Sequence, residues 1–452
     1  MRPPQTGTPA LTLSLDAAAV LQLAPDEPSA KAAKGLVIPA KWPRLEFDDE
    51  AIWGECQGSG GKPYQVQVDK SGPAFRCTCP SRKFPCKHGL ALLLLLAQQP
   101  AHFKPATAPA WVGEWLATRR QRAEKQEQKQ TEAPRSEADP QAAAKRAATR
   151  AARMNGGMDE LSRWLSDRLR QGLAQLPAAP SQWDEIATRM VDAQLPGLAY
   201  RLRSIGADVG QNEHWPARVL GGMGSLFLLI DAYRRLETLP PATQADVQAA
   251  LGQVVDRDTV LGHGEQISDD WQVQGVVCDE EERLWVRRVW LRGLRTGRWA
   301  LLLDHAHGSP RFEPSWLVGS VAGTTLAFFP GNAPLRALVA GEIQPCQGTP
   351  PPAQGMEDAL NALADAVAGN PWLSPLPMRI DDGVPWHDEQ GWCLRAGARR
   401  LPLAVRERDG WQLVATTGGA PLGIFGEWNG LSLRPLSAWQ PALTWIEERE
   451  TA

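Results

Sequence analysis

The sequence is poor in cysteine, has no long apolar run and contains no lysine after Lys145. Seven cysteines in 452 residues, three clustered and four scattered (Cys56, Cys278, Cys346, Cys393), exclude the dense, even pattern of a disulfide framework. The leucine run from Leu92 to Leu96 is far too short to span a bilayer, so no membrane association is expected. The first thirty residues carry Arg2 as their single cation, and Asp16 interrupts their apolar run. They do not read as a secretory signal, and a cytoplasmic location is expected. No Ser-His-Asp, HExxH or paired-carboxylate signature stands out, so a non-enzymatic role is expected.

Two stretches invite chemistry that their residues do not sustain. GSGGKPY (58–64) resembles a phosphate loop, but Cys56 stands where its first glycine belongs. Pro63 then follows Lys62, where Ser or Thr would hold Mg²⁺. A hairpin turn is expected, and no bound nucleotide. DHAH (304–307) would set His305 and His307 on one strand face beside Asp304. A metal site there needs a further ligand such as His263 or His387, and no spacing points to either.

The net charge of −3 hides an asymmetry. Residues 1–155 hold 22 Lys and Arg against 15 Asp and Glu, whereas residues 156–452 hold 26 against 36. A basic front half suits a polyanion partner, and association of the two halves suits the same figures.

Pattern divides the chain into five parts. Residues 1–50 mix short apolar runs with prolines and are expected to pack on the cysteine-bearing segment after them. Residues 51–116 hold the cysteine cluster and a two-tryptophan strap, PATAPAWVGEWL (105–116). Residues 117–155 have almost no large apolar residue and read as a basic, solvated helix fraying into a linker. Residues 156–255 carry apolar side chains at helical spacing (Leu161, Trp164, Leu165, Leu169), which predicts a helical domain. Residues 256–452 contain 12 of the 19 tryptophans and a series of Val- and Leu-rich runs, which predicts a β-rich domain. Within it 356–368 reads as a helix, and Asp409-Gly410 reads as the turn of a hairpin over 401–418. The fold class is therefore α+β multidomain: a small ββα finger, a helical middle domain and a β-rich C-terminal domain.

The chemistry concentrates in FRCTCPSRKFPCKHGLALLLLLA (75–97). PYQVQVD (63–69) alternates as a strand, and Ser71-Gly72-Pro73 turns the chain back. On the return strand Cys77 and Cys79, two apart, would share a face. Cys86 and His88 would sit where a leucine-rich helix begins, with Leu90, Leu93, Leu94 and Ala97 packed onto the hairpin. Three thiolates and one imidazole form a closed tetrahedral zinc shell with no position left for a catalytic water. A structural Zn²⁺ is therefore expected on Cys77, Cys79, Cys86 and His88. It would also supply folding energy that so short a segment lacks. Arg76, Arg82, Lys83 and Lys87 surround the cluster and are the candidate phosphate contacts. They would equally balance the negative charge of a zinc–thiolate centre.

This C-x-C and C-x-H pattern opening a leucine-rich helix, after Trp53 and the alternation Tyr64, Val66, Val68, resembles the SWIM zinc finger over about 51–98. The strap and basic helix after it (109–125) are similar to those of bacterial SWIM-finger proteins. The resemblance implies a ββα finger that binds DNA or protein. It places the metal on the same four residues. SWIM fingers occur in chromatin-type helicases, transposases and ubiquitin-system proteins, and none of those catalytic domains is evident here. The resemblance supports two functional expectations. One is a finger that binds DNA or RNA. The other is a protein–protein adaptor, with a MoxR-type AAA+ ATPase as its candidate partner.

Overall fold

The structure, a computed structural model, describes residues 17–447 apart from 25–26, 59–60, 71–73, 82, 120–139, 179, 212, 254, 282–283, 308–311, 313 and 349–351. Its N-terminal part is a sheet covered on both faces. Helices α1 (Ala17–Gln22) and α2 (Glu27–Lys34) precede strands β1 (Arg44–Phe47), β2 (Ala51–Cys56), β3 (Tyr64–Asp69) and β4 (Ala74–Cys77). Helix α3 (Lys87–Gln98), the short strand β5 (Lys104–Pro105) and a helix over 110–119, here α4, complete it. The strand order is β4-β3-β2-β1-β5. The finger is thus two strands and a helix of a larger five-stranded layer.

Alternation along β2 decides what covers each face. Ile52 and Cys56 share a core with Val66, Val68 and the leucines of α3. Ala51 and Trp53 point the other way, into a cluster with Val112, Trp115 and Leu116 of α4. The strap is therefore a short strand and a helix that seal the second face. The leucine spacing predicts one buried face on α3, but every residue from His88 to Leu96 is buried. Val20 of α1 and Ala33 of α2 share the α3 core, so α3 lies between sheet and helices. A helix apolar all round needs such double cover.

Helices α5 (Pro140–Gln171), α6 (Ser181–Asp192), α7 (Pro196–Asp208), α8 (Trp215–Arg234) and α9 (Pro241–Ala250) share one apolar core. Helix α5 does not break where the composition changes. It runs through Gly156-Gly157, and a Cβ on Gly157 would lie 2.5 Å from the Ala193 methyl. Its residues 144–153 are all exposed, and the core begins at Met154. Of the basic segment, 120–139 lies outside the described residues.

The C-terminal part starts with α10 (Arg257–His263) and builds two six-stranded sheets. The first holds β6 (Glu265–Glu281), β7 (Leu284–Gly293), β8 (Trp299–His307), β9 (Val321–Phe328), β10 (Ala337–Val339) and β11 (Gln344–Cys346). Helix α11 (Met356–Gly369) leads to the second. That sheet holds β12 (Leu376–Asp388), β13 (Gly391–Ala396), β14 (Arg399–Pro402), β15 (Leu422–Trp428), β16 (Leu433–Trp439) and β17 (Leu443–Ile446), with helix α12 (Glu407–Thr417) between β14 and β15. Both sheets follow one plan. A long first strand pairs through its N-terminal half with the fourth strand and through its C-terminal half with the second. The resulting orders, β8-β7-β6-β9-β10 and β14-β13-β12-β15-β16, correspond position by position.

The hairpin expected over 401–418 is corrected by α12. Asp409 is buried in its first turn, paired with Arg406 and Arg408. Gly410 serves close packing and not a turn, because a Cβ there would lie 2.4 Å from the Trp392 ring. Leu413, Val414 and Thr417 recur at helical spacing and face inward.

The helical and β-rich parts interlock. Buried Asp246 on α9 accepts hydrogen bonds from the backbone N–H (3.0 Å) and side-chain amide (2.6 Å) of Asn332 and from the Asn370 amide (2.8 Å). Trp372 belongs to the helical core, and its carbonyl accepts from Arg201 at 2.8 Å.

In the first sheet Asp269 fixes the β7–β8 turn. Its carboxylate accepts from the Thr296 hydroxyl (2.6 Å) and from the N–H groups of Asp270 (2.7 Å), Thr296 (2.9 Å) and Arg295 (3.1 Å). Burial alone would raise its pKa, but these donors hold it below the usual 3.8. An Asn amide would turn its own donors toward those N–H groups. Asp269→Asn is therefore expected to cost about 2 kcal/mol near neutral pH. A depressed carboxyl stabilises the fold above its unfolded pKa, and that share is lost as pH falls through the folded value. Thermal melts of the two proteins should differ at pH 7 and converge in acid, below pH 3.8.

Candidate metal centre

Strand β4 ends at Cys77, two residues short of a second strand thiol. The expectation that Cys77 and Cys79 share a strand face is thus corrected. Thr78 leaves the ladder gradually: its N–H donates to the Gln65 carbonyl (3.1 Å), and its hydroxyl accepts from the Gln65 N–H (3.0 Å). Cys79 follows in a bend. The two sulfurs converge because the chain curls under them. The Cys79 N–H donates to the Cys77 sulfur, and the Ser81 N–H to that of Cys79.

The second pair comes from the start of α3. Cys86 stands just ahead of the helix with extended backbone (φ −75°, ψ 163°), and His88 lies in the first turn. The Gly89 N–H, one of the helix's unpaired first donors, points at the Cys86 sulfur. Gly89 also lets the sheet come close, since a Cβ there would lie 3.0 Å from the Phe75 ring. Tyr64 flanks the imidazole, with ring centroids 4.9 Å apart.

The structure brings the four donor atoms of Cys77, Cys79, Cys86 and His88 within 4.8 Å of one another. Cys77 Sγ lies 3.8 Å from His88 Nδ1. A tetrahedral zinc with sulfur at about 2.3 Å has ligand–ligand edges of about 3.8 Å, so the set fits that ion. The thiols are close enough to exchange protons. A hydrogen bond from Cys77 is the main cause that pulls Cys86 down to about 4, and the same bond pushes Cys77 up. Three sulfurs that hold each other's protons in a half-buried site, each with an N–H donor, are suited to giving those protons up to a divalent cation. Zinc bound here would have no open coordination position for substrate.

Among the described residues no other group of three or more potential ligands converges. His305 and His307 are exposed on β8, and Asp304 is engaged by Arg287 at 2.6 Å. Of the candidate phosphate contacts, Arg76, Lys83 and Lys87 are exposed around the knuckle, and Arg82 lies outside the described residues. Lys41, from before the finger, joins them. It lines, with Lys83, Lys87, Tyr64, Cys79 and His88, a groove of about 660 Å³ bounded by α2. Nothing in the spacing of the sequence connects Lys41 to the cluster.

A hairpin end, a bend and a helix start thus bring together the Cys₃His donor set of a closed zinc site. Residues 64–97 match the family model of the SWIM zinc finger, and residues 149–251 match that of the SWIM-associated four-helix bundle domain. The chain therefore carries a SWIM zinc finger followed by its associated bundle, with a cluster positioned to bind a zinc ion. No curated protein and no solved structure matches it. Among the described residues no helix is long and apolar enough to cross a membrane.

Purified protein is expected to hold one zinc per chain by elemental analysis. Cys86→Ser should lose most of it, and hydrogen exchange over 64–97 should rise by orders of magnitude, because metal binding there contributes about 10 kcal/mol or more. Full zinc content in that variant would remove Cys86 from the ligand set.

Proposed function

We propose that this is a non-enzymatic, zinc-dependent binding protein whose finger takes hold of nucleic acid through phosphate contacts. The observation that carries this reading is the distribution of exposed cations. Arg76, Lys83 and Lys87 ring the knuckle. Zinc with three thiolates has a formal charge of −1, which one cation offsets, so the ring exceeds what the metal needs. Helix α5 adds a second cationic element. Its exposed stretch 144–153 carries Lys145, Arg146, Arg150 and Arg153 and no acid. A helix stretch whose apolar side chains are all alanine, loaded with one sign of charge, suits a phosphate backbone better than a protein core. These contacts position without reading bases, so the expected binding is largely independent of sequence.

A second reading, docking of a protein partner, is favoured by the C-terminal surface. Trp386 and Trp411 are 46% and 52% exposed there, and Arg395 covers one face of Trp386. Large exposed aromatics are more typical of interaction sites than of idle surface.

Fluorescence anisotropy of zinc-loaded protein with DNA and RNA, over a salt series, separates the two. Nucleic-acid binding should weaken at least about tenfold between roughly 50 and 200 mM salt. Reversing Lys83 and Lys87 to Glu should weaken it further at every sequence, and Cys86→Ser should abolish it. Absence of binding at low salt with zinc in place would overturn the nucleic-acid reading and direct the search to a protein partner.

A further inference from the structure

Helix α8 is apolar on the side that the bundle does not use. Between Arg218 and Asp231 it carries no charged residue. Its inner face, with Val219, Met223, Leu226 and Ile230, belongs to the bundle core. Its outer face holds Ala217, Leu220, Gly221, Gly224 and Leu228, all exposed, the two leucines at 51% and 47%. These positions recur at three- and four-residue spacing and form one stripe. Helix α6 shows the usual division, with Asp184, Glu185, Thr188 and Arg189 at its exposed positions. A helix apolar all round needs cover on every side, and among the described residues the outer face of α8 has none.

The glycines sharpen the point. A glycine inside a helix costs about 1 kcal/mol relative to alanine, so each calls for a reason. Gly222 has one within the chain, since a Cβ there would lie 2.7 Å from Ile205. Gly221 and Gly224 do not. Neither has a positive φ, and among the described residues no atom lies within 4 Å of a Cβ built on either. Between Leu220 and Leu228 they leave a notch in which a second helix backbone can come close.

The stripe is complementary to itself. In an antiparallel pair of α8 helices with the two-fold axis at Gly224, residues equally far before and after Gly224 share a level. Leu220 then stands level with the second copy's Leu228, and that leucine fills the notch at Gly221, on the same edge of the stripe. Past the apolar turns, Glu213 and Arg235 come level, each eleven residues from Gly224. Each end of the contact thus sets an acid of one copy against a cation of the other. Both side chains are exposed, and their partners within the chain are local: His214 at 3.4 Å for Glu213, and Asp231 one turn back for Arg235. Exposed pairs of that kind hold little. A parallel pair would instead oppose Glu213 to Glu213 and Asp231 to Asp231.

We propose that the outer face of α8 is the contact through which two copies of this chain associate, as an antiparallel helix pair crossing at Gly224. A contact over about three helical turns is small beside the roughly 1,200 Å² of a standard interface, so a reversible dimer with a dissociation constant of about micromolar order is expected. The surface lies on the bundle and is independent of what the finger binds.

Sedimentation velocity of the zinc-loaded full chain, over about 1 to 200 µM, spans that range. The mass is expected to rise from 49.3 kDa toward twice that value. Gly224→Glu sets two carboxylates on the two-fold axis and should weaken the dimer at least about tenfold. Nothing crowds a side chain there, so at concentrations where both proteins are monomeric their melting temperatures should agree. Glu213→Arg and Arg235→Glu should each weaken association, and the two combined should restore it, because the swap pairs the charges again across the antiparallel contact. Should Gly224→Glu fail to fold, the charge variants, at exposed positions outside the stripe, decide the question. A dimer indifferent to Gly224→Glu, or charge variants whose losses add with no recovery in the combination, would overturn the proposal. So would the mass of a single chain at every concentration, which would leave this face to a helix of another protein.

Discussion

Three sulfurs crowded against one imidazole repel one another once deprotonated, and a divalent cation turns that repulsion into the strongest local attraction in the chain. The N-terminal architecture is arranged around this constraint. Strand β4 has to stop at Cys77 so that the backbone can curl beneath Cys79, and α3 has to begin at Lys87 so that Cys86 and His88 flank its first turn. The N–H groups of Cys79, Ser81 and Gly89 then serve the sulfurs. Donors left unpaired by a bend and a helix start become part of the metal's surroundings.

The leucine run after the knuckle obeys the same constraint from the other side. A helix pinned at its first turn by a metal cannot rotate to hide an unsuitable face. With apolar side chains all round, it needs cover on both sides, and α1 and α2 provide what the sheet does not. The N-terminal segment is thus a structural part of the finger and also the wall that turns the zinc face into a groove.

Ligand chemistry was legible because it depends on residue type and short spacing. Cys77, Cys79, Cys86 and His88 announce themselves in 12 positions. The helix over 356–368 and most strand runs past 256 were legible for the same reason, being local. What escaped was non-local. Asp409-Gly410 reads as a turn until Trp392, distant in sequence, explains the glycine. The shared plan of the two sheets lies in their pairing order, which periodicity does not encode. Lys41 carries no motif, and it gains meaning from what folds against it. Composition marked a boundary near Gly156-Gly157, yet the backbone continues as helix, because glycine at a close crossing is tolerated where a neighbouring helix demands it.

That continuity of α5 has a mechanical consequence. About ten exposed residues of helix span roughly 15 Å, and they are rooted without a hinge in the core that begins at Met154. Lys145, Arg146, Arg150 and Arg153 are therefore carried on a stiff outrigger. Whatever grips them is held at a set stand-off from the bundle, and a torque applied there is delivered to the bundle core.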